Sequence, residues 1–360
     1  MTQGLPLRKD VPTQETWDLK DLFENDEAFY QTLNQVFQSS KAFKSTYQNQ
    51  LKDIETVERA LKDYEDILIQ LDRLYNYPEL RVSVDATNEA AQKVNAKLNT
   101  MSGKIAGLLS FVDSEILALP EDMLNQLQQQ SNYPHFIKQL KDRKPYQLST
   151  EVEQVLATLT PTLRSPFELY GTTKSLDIDF ESFEHNGMTY PLDYATFENE
   201  YEDNPDAEFR RKSFKAFSDS IRKYQNTTAA TYNMQVQQEK IEADMRGYDS
   251  VIDYLLQDQE VTRDMFDRQI DVIMSDLAPV MQRYAKLIQR VHGLDKIRFE
   301  DLKISIDPSY EPDISIEESK KYIYGALNVL GEDYVKMLES AYDNRWIDFA
   351  QNKGKDTGAY

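Results

Sequence analysis

Cysteine is absent from the 360 residues, and histidine occurs only three times. The first absence excludes disulfides, thiolate nucleophiles, iron–sulfur clusters and Cys-ligated zinc, and fits a reducing compartment, so a cytoplasmic location is expected. Basic charge is in deficit: 41 Lys and Arg face 62 Asp and Glu, a formal net charge of −21. A chain of that sign opposes the counterion release on which nucleic-acid binding depends, and it is repelled by anionic membrane surfaces; neither is expected as a partner. No stretch reaches the ~20 apolar residues of a membrane span, and the first ten residues hold no apolar run of signal-peptide length. Glycine is almost missing from the first hundred residues, where Gly103 is the next after Gly4, so little interrupts long helices there.

The residues present carry helical periodicity. With 29% charged and 40% hydrophobic residues spread along the whole chain, a folded, strongly solvated, mostly helical protein with a lean core is expected. Asn25 is placed to cap a helix through Phe29, Leu33, Val36 and Phe37, with Asp26 and Glu27 in its first turn. A second helix is predicted over about 53–76, closed by Pro78, and a third from Thr87 to Leu117. Shorter helices follow Pro120 and Pro134, and another covers 149–158, where Thr150 and Glu153 have capping-box spacing. Alternation in 175–181 and the Asn186-Gly187 pair predict a β-hairpin near 176–190. Asn204-Pro205-Asp206 starts a helix that is free to run to Arg246, roughly 60 Å, with Gly247 as its stop. A long helix over about 262–291, with Pro279 as a kink, and one opened by the Ser315/Glu318 capping box complete the helical part. Trp346 to Ala350 looks like a strand, followed by a polar turn and the start of a second strand at Thr357 to Tyr360.

Few residues are arranged for chemistry. His135, His185 and His292 are followed by Phe136, Asn186 and Gly293, so none begins His-Glu-x-x-His. The residues three positions before them are Asn132, Ser182 and Gln289, which excludes the Glu-x-x-His pairs of a di-metal bundle. Scattered single glycines exclude the phosphate-binding loops. Asp177 and Asp179 offer either an Asp-x-Asp ligand pair or a solvated strand face. Lys138, Lys141, Arg143 and Lys144 offer either an anion site or a solvated helix end. The many Tyr and Phe residues at helical spacing are packing residues before they are a ligand cage. From these residues alone, the reading is a helical scaffold.

Four segments add a resemblance. Arg8-Lys9-Asp10-Val11-Pro12 with Thr16 to Phe23, the helix Asp206 to Phe217, and Ala243 to Ser250 with its Arg246-Gly247-Tyr248 turn each resemble oligoendopeptidase F, of the thimet oligopeptidase group of zinc peptidases. Gly354-Lys355-Asp356-Thr357-Gly358-Ala359-Tyr360 is similar to that family's Gly-Lys-x-x-Gly-Ala-aromatic strand. The resemblance implies an all-α, zincin-like architecture of long helices walling a deep channel, with a small hairpin and the start of a small sheet near residue 360. It implies an N-terminal helical domain over 1–200 and the first part of a catalytic helical domain over 201–360. It also implies zinc-dependent hydrolysis of internal bonds in short peptides by the full-length enzyme. The zinc ligands and the catalytic Glu of that family follow the Gly-Ala strand, so no metal ligand or catalytic residue is expected within these 360, and the chain by itself is expected to be an inactive, truncated portion. Gly358 and Ala359 are the expected substrate-binding residues, bordering an extended peptide, unless that strand is simply tightly packed. Self-association through unburied partner surface is a further expectation. The alternative function is a non-enzymatic acidic helical scaffold or interaction protein.

Overall fold

The computed structural model describes residues 5–310 and 312–356. An irregular N-terminal segment with three 3-10 turns leads into α1 (Asp26–Tyr47), α2 (Ile54–Val84) and α3 (Glu89–Leu109). These three helices pack on one another, and α3 also carries α7 (Thr150–Leu163) on its outer face. Between them run α4 (Phe111–Leu117), α5 (Glu121–Gln130) and α6 (Pro134–Arg143). The N-caps follow the sequence: Asn25 Oδ1 accepts from Ala28 N–H at 3.0 Å and Asp53 Oδ1 from Thr56 N–H at 2.9 Å. The main core fills the space among α1 to α6, with Phe29, Leu33, Leu74, Leu98, Ile105 and Phe111 buried. Gly103 and Gly107 let α7 approach closely: a Cβ on Gly103 would lie 2.9 Å from Thr158 O, and one on Gly107 2.5 Å from Thr158 Oγ1.

α8 (Ser165–Thr172) runs through a π turn at Thr173–Asp177 to the hairpin β1 (Phe183–His185) and β2 (Met188–Tyr190). The strands are antiparallel, with Phe183 opposite Tyr190 and His185 opposite Met188. Asn186 and Gly187 both have positive φ, 51° and 75°, as a two-residue hairpin turn requires. A short turn of helix, α9 (Tyr194–Thr196), precedes α10 (Ala207–Arg222), and a second aromatic core of Phe183, Phe197, Tyr201, Phe209 and Phe217 joins hairpin to helix. α11 (Gln225–Arg246) packs on α8; α12 (Val251–Gln257), α13 (Arg263–Val272), α14 (Ala278–Val291), α15 (Ile316–Leu327) and α16 (Glu332–Asp343) follow. The fold is predominantly helical, with one two-stranded sheet among the described residues. No helix is long and apolar enough to cross a membrane among those residues.

Six local expectations are corrected. Pro78 lies inside α2: Leu74, Tyr77 and Val84 are buried on one face, and that packing outweighs the one hydrogen bond the proline removes. The predicted third helix divides at Ser110 into α3 and α4. The predicted 206–246 helix breaks at Tyr224, whose hydroxyl donates to Asp177 O at 2.7 Å and accepts from Asp179 N–H at 3.2 Å; its start moves to Asp206, which caps Glu208 N–H and Phe209 N–H. Those same bonds take 175–181 out of the hairpin, whose strands begin at Phe183. Residues 346–350 join no strand ladder among the described residues, because their backbone is used by the N-terminal segment: Phe349 N–H donates to Glu15 O at 2.9 Å and Asp18 N–H to Arg345 O at 2.7 Å. Pro279 sits in the first turn of α14, where its missing N–H costs little, directly after a π turn at Ile273–Leu277.

Candidate functional site

A cavity of about 560 Å³ opens between α3, α4 and α7 on one side and the end of α11 with α12 on the other. Arg246, the last residue of α11, spans it. Its Nη1 and Nη2 donate to Glu153 Oε1 and Oε2 on α7 at 2.7 and 3.1 Å, and its Nε and Nη2 reach Glu242 Oε1 one turn back at 3.3 and 3.2 Å. Burial raises the Glu153 pKa, but the bonds from Arg246 and from Leu148 N–H outweigh it and hold the carboxyl below its ordinary range. Gly247 then turns the chain with φ 80°, a left-handed stop in which Tyr248 N–H bonds Ala243 O. The turn delivers Tyr248 onto Tyr146, the rings stacked at 3.7 Å, with Tyr254 edge-on to Tyr248 at 5.3 Å.

Asp113 of α4 lines the same cavity. Burial pushes its carboxyl up to about 6; Arg143 opposes that and Glu153 adds to it. Arg143 itself is taken by Asp258 at 3.0 Å. The Tyr64 phenol is pushed up to about 12 by burial and by the nearby Asp113 charge. Nothing in the local sequence of Asp113 singles it out, since it occupies one position among apolar neighbours in Phe111–Leu117. Glu153 had a signal that pointed elsewhere. In place of a capping box it serves Arg246, while Ser149 occupies the cap position.

The sequence-flagged residues separate. Gly358 and Ala359 lie outside the described residues. His135 faces Glu260 at 3.1 Å, His185 is buried against Asp206 at 3.0 Å, and His292 bonds Ser305 O at 2.8 Å. The three imidazoles occupy different elements, each with its own partner. No group of three or more His, Cys, Asp or Glu side chains able to hold a metal ion is present among the described residues, so the zinc implied by resemblance does not fit them. Asp177 and Asp179 are exposed and bonded through their backbones to Tyr224. The basic knot is a neutralised helix end: Lys138 pairs with Asp142 at 2.7 Å, Lys141 bonds Asn125 at 2.6 Å, and Lys144 faces Glu121 at 3.5 Å.

The segments that carried the resemblance are ion-pair anchors. Arg8 and Lys355 both bind Asp348, which also accepts from Trp17 N–H, and Asn352 Nδ2 donates to Val84 O at 2.8 Å. Arg210 pairs with Asp301 at 2.7 Å, the two side chains 1% and 0% exposed, and Arg211 reaches the other carboxylate oxygen at 3.2 Å.

A model of peptidase family M3 matches residues 200–360, and a model described as oligopeptidase F matches residues 115–180. The chain is similar to peptidases of family M3 over these two stretches. It is 29% identical to oligopeptidase PepF of Bacillus subtilis, over 99% of this chain and 54% of that protein, and 24% identical to an oligoendopeptidase F homolog of Lactococcus lactis, over 98% and 59%. The fold is that of oligoendopeptidase-F from Enterococcus faecium, with a TM-score of 0.71 at 21% identity over 88% of this chain and 61% of that one. The chain thus spans a little over half the length of the curated relatives it matches.

Proposed function

We propose that the chain is the N-terminal and central portion of a zinc-dependent oligoendopeptidase that hydrolyses internal bonds of short peptides, and that it is inactive by itself. The observation that carries this reading is the order of the two family matches, oligopeptidase F and then M3, along a chain with no His-Glu-x-x-His. On this reading the zinc ligands and the catalytic Glu belong to polypeptide beyond these 360 residues, and the helices here wall the peptide channel. An N-terminal helical domain over 1–200 and the beginning of a catalytic domain over 201–360 accord with one match ending at 180 and the other starting at 200. Gly358 and Ala359 border the bound peptide, and the enzyme works in the cytoplasm.

The α13–α14 rod supports the reading from its surface. Met265, Ile270, Met274, Leu277 and Met281 are exposed, Met274 at 66%. An apolar stripe of that length on a solvated acidic protein calls for further polypeptide to cover it. The test is a quenched-fluorescence oligopeptide assay with zinc quantitation, run on residues 1–360 and on the same chain extended through its reading frame. Cleavage and one zinc per chain are expected only in the extended protein. Stoichiometric zinc with cleavage by residues 1–360 would overturn the proposal, as would an extended protein lacking both.

A further inference from the structure

Most charges lining the cavity beside Arg246 are matched. Glu153 and Glu242 hold Arg246, and Asp258 holds Arg143. Asp113 is the exception: its carboxylate makes no hydrogen bond or ion pair among the described residues. Next to it in sequence, the buried Ser114 Oγ, which also lines the cavity, has no hydrogen-bond partner. Both acceptors line the cavity without a protein partner, the Ser114 Oγ fully buried, and a ligand with several N–H donors would satisfy the two together.

The rest of the wall selects the sign of that ligand. An anion would meet four carboxylates, and Arg246 and Arg143 are already paired with three of them. A cation would meet a free carboxylate in a wall that also includes Tyr64, Tyr146, Tyr248 and Tyr254, side chains compatible with positive charge. Arg164 also lines the cavity but is exposed. One carboxylate with one hydroxyl is a poor metal site and a good seat for a multidentate organic donor. The volume lies within the range of small-molecule pockets.

We propose that this cavity binds an organic cation, a guanidinium or primary ammonium group, with the Asp113 carboxylate as its counter-ion and Ser114 Oγ as a second acceptor. The cation is either a free amine or the basic side chain of a peptide. The assignment does not depend on where peptide hydrolysis takes place.

Isothermal titration of the 360-residue chain at 0.15 M salt tests it with three probes: agmatine, an acetylated and amidated Gly-Arg-Gly, and the citrulline counterpart of that peptide. At pH 7.5 at least one guanidinium probe binds, and the citrulline peptide binds at least tenfold more weakly. Agmatine alone binding identifies a free amine as the source; the arginine peptide alone identifies a side chain. Affinity falls about tenfold between pH 7 and pH 5, because Asp113 takes up its proton in that interval. Asp113→Asn loses at least tenfold with an unchanged circular dichroism spectrum; should that variant not fold, Ser114→Ala and the pH profile of the unaltered chain decide. The proposal is overturned if neither guanidinium probe binds, if citrulline binds as well as arginine, or if affinity is indifferent to both Asp113 and pH.

Discussion

Asp113→Asn should make the ligand-free protein more stable, and more so as pH rises. The carboxyl moves from an ordinary 3.8 in the unfolded chain to about 6 in the folded one, burial being the main cause. A carboxyl with a raised folded pKa binds more protons folded than unfolded between those two values, so stability falls as pH climbs through them. At about 1.4 kcal/mol for each tenfold change in proton affinity, the full penalty is about 3 kcal/mol. It is absent below pH 4 and complete above pH 7. Asn keeps the shape and cannot ionise, so the difference between variant and parent should grow from near zero at pH 4 to about 3 kcal/mol at pH 7.5. Urea unfolding at pH 4, 5, 6 and 7.5, followed by circular dichroism, gives this difference curve. A variant no more stable than the parent at pH 7.5, or a difference that does not change with pH, would mean that the Asp113 charge is compensated in the cavity and that the reasoning fails.

Arg210→Ala should cost about 3–5 kcal/mol by urea unfolding, because it leaves the buried Asp301 charge to Arg211 alone. Arg246→Ala and Glu153→Gln should each destabilise, and their double-mutant cycle should return a coupling of about 1–3 kcal/mol; additive effects would show that the fork between α7 and α11 holds nothing together. Gly103→Ala should be a net loss of about 1 kcal/mol despite its better helix propensity, because the new methyl meets the Thr158 carbonyl; a stabilised variant would show that α7 is free to move. Arg8→Gln should leave the core intact while amide exchange over 348–356 quickens about thirtyfold, corresponding to about 2 kcal/mol of local opening; unchanged protection there would contradict the anchor.

The helices were legible where local chemistry decides them. Asn25, Gly247 and the Ser315/Glu318 box act as their residue types require, and the Asn186-Gly187 pair makes its turn. The errors arose where a distant residue outweighed the local signal. Pro78 is overridden by the buried face of α2, Tyr224 stops a propensity-rich stretch by bonding back to 177–179, and Glu153, besides accepting from Leu148 N–H at its own helix end, is held by Arg246 on α11. The cavity was not legible at all. Its key residue, Asp113, is an ordinary acid on an ordinary short helix, and only the packing of α6, α7 and α11 around it removes the water that would make it unremarkable.

The same logic explains why the resemblance could be recognised without any catalytic residue. Three of its four segments contribute an arginine to a carboxylate far away in sequence, Arg8 to Asp348, Arg210 to Asp301 and Arg246 to Glu153, and the fourth adds Lys355 to Asp348. Losing one partner of such a pair leaves the other charge uncompensated, most severely for Arg210 and Asp301, whose side chains are 1% and 0% exposed, whereas apolar contacts tolerate exchange of one hydrophobe for another. The Asp348 anchor has a geometric consequence as well. With Lys355 on Asp348, Ala86 N–H on Gly354 O at 2.9 Å and Asp356 N–H on Ser83 O at 2.7 Å, the polypeptide at residue 356 is held against the end of α2.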